Sequence, residues 1–496
     1  MPGNFPGLWV ILGLHRLANN CPQYRFSSSL GSNTPPQATK DARFGPQSMP
    51  GGTESRTHMA GKDYSAEAAP RPTTDAPSLR RIRAMLRPTL VIALIIFTLQ
   101  SAHASEPIRL GLNYPSTGNY KSEGLELRRG ALLAVDQINQ DGGLLGRRLE
   151  LVSLNSAARA EKARANVDRF AKQGAAMIFG GANSEEALSA GQRARELGLL
   201  YFPTLGYANE ITGRDGHRHL FRESNSAWMS ARVLGEYLSW HMPNRRYHYI
   251  SLDDAWGHSM EQALREATKS RDRARHGYSK IAARGARRDD YLSALQKAAA
   301  SDADVLVIVL LGQDLVQTMR LAHTLELGKR MQIIAPNLTQ SIVEQAGPLV
   351  MENVIGTEAW TWRVPQREKS ETGQAFVERY IALHQAYPGS TAASAYGIVR
   401  QWADAVGRAG RLDSEAVIAE LENHRYSLLK DEQYWRDFDH QNVQSIYAVK
   451  VRNRSEIMQD RFKQDYFTII HRMDGEEAAP SLDDWQQERG DQLQLQ

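Results

Sequence analysis

The chain has 496 residues, 42% of them hydrophobic and 23% charged, with a mean hydropathy of −0.48. This is a soluble globular composition that excludes wholesale disorder and a polytopic membrane protein. The formal charge of +4 and a pI near 8.9 point at face value to an anionic partner such as nucleic acid, so what matters is where the charges sit.

Residues 1–104 carry eleven Lys or Arg against five Asp or Glu, which leaves the rest of the chain with 49 basic and 51 acidic residues, a net of −2. Eleven of the 20 prolines fall in the same stretch, among Ser, Thr, Gly and Gln without helical or strand period. Residues 1–84 therefore read as a disordered leader, or as a misassigned translation start ahead of Met85. Residues 85–104 read as a secretory signal peptide: Arg80, Arg81, Arg83 and Arg87, then the apolar run LVIALIIFTL at 90–99, then Ala102-His103-Ala104. The run is short of the roughly 20 apolar residues a spanning helix needs, and no cysteine at the cleavage site suggests a lipid anchor. The single cysteine, Cys21, lies in the leader, so the mature chain from Ser105 is expected to have no disulfide and no thiolate metal site. With the basic excess confined to the leader, nucleic acid is not an expected partner.

From Ile108 onward short β-branched runs alternate with amphipathic stretches. Strands are expected at 108–114, 149–154, 175–181, 199–204, 247–252, 304–312 and 331–337. Between the first two lies ELRRGALLAVDQINQ, with Leu127, Ala131, Ala134, Val135 and Ile138 on one helical face. Strict alternation predicts α/β architecture with mostly parallel sheets covered by helices, and so many strands divide better into two sheets than one. The polar stretch at 217–228 marks the division. After NVIGTEAW (353–360) the chain turns helical, and YWRDFD (434–439) and SIYAVKV (445–451) close the pattern as late strand-like runs. Two lobes with repeated crossovers place a cleft at the carboxyl ends of both sheets. Residues 456–496 read as a C-terminal tail, partly disordered, with an acidic and Gln-rich end.

Several catalytic signatures are missing: no phosphate-binding G-x-x-x-x-G-K-[ST] loop, no G-x-S-x-G elbow and no H-E-x-x-H zinc helix. Gly142, Gly143 and Gly146 follow a helix instead of opening one, which is the chemistry of a helix stop. Asp253, Asp254 and His258 could serve as metal ligands or as the acid/base set of a hydrolase, but on a strand-to-helix loop Asp is more often a cap. His217 and His219 lack carboxylate or cysteine partners at ligand spacing. The strand-end loops at 114–120, 181–184, 203–207, 254–257 and 337 supply hydroxyls, amides, helix N-termini and aromatic walls suited to a small ligand.

Residues 107 to about 455 resemble the type I periplasmic binding proteins of branched-chain amino acid and amide ABC transporters. The resemblance is carried by IRLGLNYPSTGNYKSEG, GALLAVDQINQDGGLLGRRLELV, FGGANSEEALSAGQRARELGLLYFPT, DDAWGHSM and YWRDFDHQ. It implies two Rossmann-like lobes joined by a three-crossover hinge, with residues 105–223 plus 357–428 in lobe 1 and 224–356 plus 429–455 in lobe 2. It also implies an exported, periplasmic monomer without enzymatic activity, metal or cofactor, which takes a small-molecule ligand to an ABC permease. A sensor serving a membrane receptor such as a histidine kinase is the alternative. Carried over loop by loop, Asn183 and Ser184 would meet a ligand carboxylate or amide, Gly206 and Tyr207 the adjoining edge, and Glu123 the ligand side chain. Trp256 would form an aromatic lid. Asn337 falls where amino-acid-binding members carry an acidic residue for the α-ammonium. A neutral amide there leaves a buried ammonium without its counter-charge, at a cost of several kcal/mol. The expected ligand is accordingly amide, urea-like, carboxylate or amino-acid-like, rather than specifically an aliphatic amino acid.

Overall fold

The computed structural model describes residues 106–490, 492, 494 and 495. The stretches read as leader and signal peptide, and Cys21, lie outside the described residues. No helix among the described residues is long and apolar enough to cross a membrane.

The first sheet contains β1 (Ile108–Tyr114), β2 (Leu149–Asn155), β3 (Ala175–Gly180) and β4 (Tyr201–Pro203) in the order β2-β1-β3-β4, all parallel. Its inner strands are mostly apolar because helices cover both faces; Leu110, Leu112, Met177, Ile178 and Phe179 are fully buried. The helix Lys121–Gln140 buries the expected face of Leu127, Ala131, Ala134, Val135 and Ile138. It stops where Gly143, at φ +84°, donates its N–H to Ile138 O at 2.8 Å. At Gly130 this helix meets Ser390–Ala409 so closely that a Cβ would stand 2.0 Å from Ala392 O.

The second sheet contains β5 (Tyr247–Asp253), β6 (Gly277–Ala282), β7 (Val305–Val309), β8 (Gln332–Ile334), β9 (Ile355–Glu358), β12 (Ile446–Val451) and β13 (Phe467–Met473) in the order β13-β12-β9-β8-β7-β5-β6. β12 runs antiparallel to both neighbours, and the remaining strands are parallel. β10 (Tyr434–Trp435) and β11 (Asn442–Val443) form a separate two-stranded ribbon. Thus YWRDFD contributes only two residues of strand. β7 and β8 end three residues earlier than the apolar pattern predicts, because Leu310, Leu311 and the 335–337 segment leave the sheet while staying buried. Apolar character recorded burial there, not pairing.

The chain passes between the sheets after β4, after β9 and again before β12. The first and third passages pair with each other: Arg222 N donates to His440 O at 3.0 Å and Asn442 N to Arg222 O at 2.9 Å. Within this hinge the Arg222 side chain, 1% exposed, donates to Gln441 Oε1 and Thr212 Oγ1, each at 2.6 Å, and to Ala208 O.

The segment read as a C-terminal tail carries regular elements over much of its described length. β13 is the edge strand of the second sheet, with Phe467 and Met473 buried, and the following helix Leu482–Arg489 docks on the first lobe's 212–216 loop. Trp485 Nε1 donates to Thr212 O at 2.9 Å, and Arg489 Nη1 donates to Gly213 O at 2.6 Å and Gly216 O at 3.0 Å. The acidic, Gln-rich composition hid this order because a single Trp supplies the buried anchor.

Candidate functional site

At the boundary between the lobes three spaces adjoin. An outer cleft of about 1380 Å³ has Asn183 and Glu185 on one wall and Asp254 and Arg284 on the other. A narrow central cavity takes Tyr120, Glu123, Leu205 and Tyr207 from the first lobe and Leu311, Thr339 and Ile342 from the second. A small hinge-side cavity is bounded by the N-terminal turns of Ser390–Ala409 and by all three crossovers. Tyr120 lines both the cleft and the central cavity, and Leu205 and Tyr207 line both the central and hinge-side cavities. These two rings are the partitions.

Local sequence explains how the side chains are delivered. Asn183 caps the helix Ser184–Glu196 by accepting from Glu186 N and donates its amide to Ala158 O at 3.2 Å. Ser184 Oγ accepts from Tyr207 N at 3.2 Å and Ala208 N at 3.1 Å, which holds the Tyr207 loop against the preceding helix. Gly206 permits that approach, since a Cβ there would meet Ile211 at 2.7 Å and Ala187 at 2.9 Å. Across the lobes, Ser341 Oγ donates to Glu123 Oε1 at 2.6 Å, and Arg284 pairs with Glu185 at 3.1 Å. Burial raises the Glu123 carboxyl above the usual carboxylate range, and the Ser341 bond offsets part of that rise.

Of the seven residues the sequence points to, Glu123 and Tyr207 line the central cavity and Asn183 lines the outer cleft. Ser184 and Gly206 stand behind them as supports. Trp256 is 2% exposed in the first turn of Ala255–Ala267, its indole N–H buried without a partner, and lines none of the three spaces. Asn337, at φ +55°, donates its N–H to Thr357 Oγ1 at 3.2 Å; its buried Oδ1 has no partner, and it too lines none of them. Asp254 is a helix cap, accepting from Gly257 N at 2.7 Å, while His258, Asp253 and Lys280 form an exposed ionic cluster. No grouping of His, Cys, Asp and Glu among the described residues could hold a metal ion.

Residues of the hinge-side cavity escaped the sequence reading. Glu358, Thr391, Lys430 and Gln433 come from separate segments that meet only through the crossovers. The one local signal is Glu358 itself, a lone carboxylate at the end of an apolar strand and before Trp360. Burial raises the carboxyls of Glu358 and Glu223, and it lowers the Lys430 ammonium to about 8. Glu126, whose Oε2 is buried without a partner, is pushed up to about 8 by burial and by the neighbouring Glu123 and Glu344 carboxylates.

A pH dependence follows from Glu126. Its folded-state value lies above the ordinary 4.5, so its stabilisation is complete below that pH and is lost as pH rises through about 8. Buried His217 and His248, lowered to about 3 and about 4, act in the opposite sense only below their ordinary 6.5. Between roughly pH 6.5 and 8.5 the chain is therefore expected to lose stability, by up to about 2 kcal/mol through Glu126. Urea unfolding across that window checks it: Glu126→Gln should flatten the slope, and an equal slope in both proteins would contradict the assignment.

The periplasmic binding protein family profile matches residues 107–456. Among curated relatives, Leu/Ile/Val-binding protein homolog 7 of Brucella abortus is 32% identical over 150 residues, 30% of this chain and 37% of that protein. The leucine-, isoleucine-, valine-, threonine- and alanine-binding protein of Pseudomonas aeruginosa is 30% identical over 27% of this chain and 36% of its own length. The chain thus aligns with little more than a third of the length of these relatives. Among solved structures, a periplasmic binding protein from Burkholderia mallei superposes with a TM-score of 0.68 at 21% identity, covering 76% of this chain and 97% of that one. The branched-chain amino acid transporter substrate-binding protein of Streptococcus pneumoniae, in complex with isoleucine, gives 0.63 at 20% identity, covering 74% and 100%. These relatives are binding proteins, a family without enzymatic activity. With the family profile spanning most of the folded region and the fold agreeing, the chain belongs to the periplasmic binding protein family.

Proposed function

We propose that the chain is an exported, monomeric solute-binding protein that holds a small polar organic molecule between its lobes and delivers it to an ABC permease. The solute is amide, urea-like, carboxylate or amino-acid-like, and residues 85–104 serve as the export signal. The observation that carries this reading is the central cavity, closed by side chains from both lobes and latched by the Glu123–Ser341 bond. Such a site releases its solute only when the lobes part, which is what a carrier requires. Tyr207 offers a flat apolar wall, while Glu123 and Thr339 supply polar contacts that fix orientation. One structural neighbour was solved with isoleucine and another, from Rhodopseudomonas palustris, with 3,4-dihydroxybenzoic acid. The fold therefore accommodates both aliphatic and aromatic solutes, and side chains decide between them.

Titration calorimetry on the chain from Ser105 onward, freed of carried-over solute, tests the reading against amides, ureas, carboxylates and amino acids. At least one class is expected to bind at about one molecule per chain with Kd near 1 μM or tighter, about −8 kcal/mol. No heat from any of the four classes would refute it.

A further inference from the structure

We propose that the hinge-side cavity is a subsite for a cationic amine group of the solute, with the Glu358 carboxylate as its counter-charge and the Thr391 hydroxyl as a second acceptor. The inference rests on the interlobe binding reading and specifies the chemistry of the solute. Glu358 is 5% exposed and its Oε1 has no hydrogen-bond partner; Thr391 is 2% exposed and its Oγ1 has none either. Both line the same cavity. A buried carboxylate with an open lone pair is costly until a donor reaches it, and a charged donor gains most.

The cavity's own cation does not fill this role. Lys430 Nζ is spent on two backbone carbonyls, Ala359 O at 2.7 Å and Ser445 O at 2.8 Å. The acidic groups that bear most on it are Asp431 and Glu223, while the charge that bears on Glu358 is that of Glu126, also negative. Glu358 and Glu223 against Lys430 leave the lining with an excess of one negative charge when all are ionised. Tyr207, Trp360 and Tyr426 add aromatic walls, which attract a cation and repel an anion that meets a ring face.

The test is titration calorimetry with matched pairs, n-butylamine against n-butanol and tyramine against tyrosol, on the wild type, Glu358→Gln and Thr391→Val. The amine of at least one pair is expected to bind about tenfold or more tighter than its alcohol. Glu358→Gln should remove that preference, and Thr391→Val, which leaves the carboxylate in place, should reduce it in part. Thermal melting of each variant reports whether it folds, and Thr391→Val carries the test if Glu358→Gln does not. Equal binding of amine and alcohol, or a preference that survives both substitutions, overturns the subsite. If carboxylates, amides or ureas bind while every amine fails, the subsite falls and the interlobe reading stands. If nothing binds, both fall.

Discussion

Arg222→Met is expected to destabilise the chain by about 3–5 kcal/mol, the range for removing one partner from a buried charge network. Arg222 is fully enclosed at the hinge, and burial lowers it only to about 10, with Asp439, Glu488 and Glu210 supporting its charge. Its guanidinium satisfies three acceptors from two segments: the Ala208 carbonyl and the Thr212 hydroxyl of one loop, and the Gln441 amide oxygen of the third crossover. Methionine fills much of the volume but leaves all three acceptors without their donor. Arg222→Lys retains the charge and loses the planar fork, so it should fall between wild type and Met. Urea unfolding followed by circular dichroism measures the series, and a Met variant with an unchanged midpoint would show that the hinge does not depend on this network.

Trp485→Ala should cost a similar amount, about 3–5 kcal/mol for emptying a buried Trp site. The ring is 2% exposed, packs edge-on against Phe438 at 5.3 Å between ring centres and lies under Arg489 at 4.9 Å. Its N–H bond to Thr212 O ties the end of the chain, which leaves the second sheet at β13, to a loop of the first lobe. A disordered tail would make the substitution silent. The same unfolding measurement therefore decides between a strap and a loose end.

The frame was legible in the sequence wherever burial and pairing coincide. VLVIV in β7 is apolar because both faces of that strand are covered, and LLAVDQIN carries its helical stripe for the same reason. Edge elements were harder to read. β6, GYSKIA, exposes Lys280 and Ala282, and β13, FTIIHRM, mixes charge with apolar residues, so neither carries a continuous apolar signal. β9 has only four residues and ends on Glu358, which a pattern reading takes for a loop. At the site, the strand-end loop at 203–207 singled out Tyr207 because turns have local signatures, whereas Glu123, inside the helix Lys121–Gln140, came only with the family resemblance. Glu358, Thr391 and Lys430 did not emerge, since their proximity arises from three chain crossings and no local spacing encodes that.

The central claim is that a solute is gripped by both lobes at once. Hydrogen–deuterium exchange of the chain with and without its tightest ligand from the calorimetric panel tests it directly. The account predicts slowed exchange on binding in 118–127 and 204–208 of the first lobe together with 310–314 and 338–343 of the second. Protection confined to one lobe, or located away from both sets of loops, would contradict it.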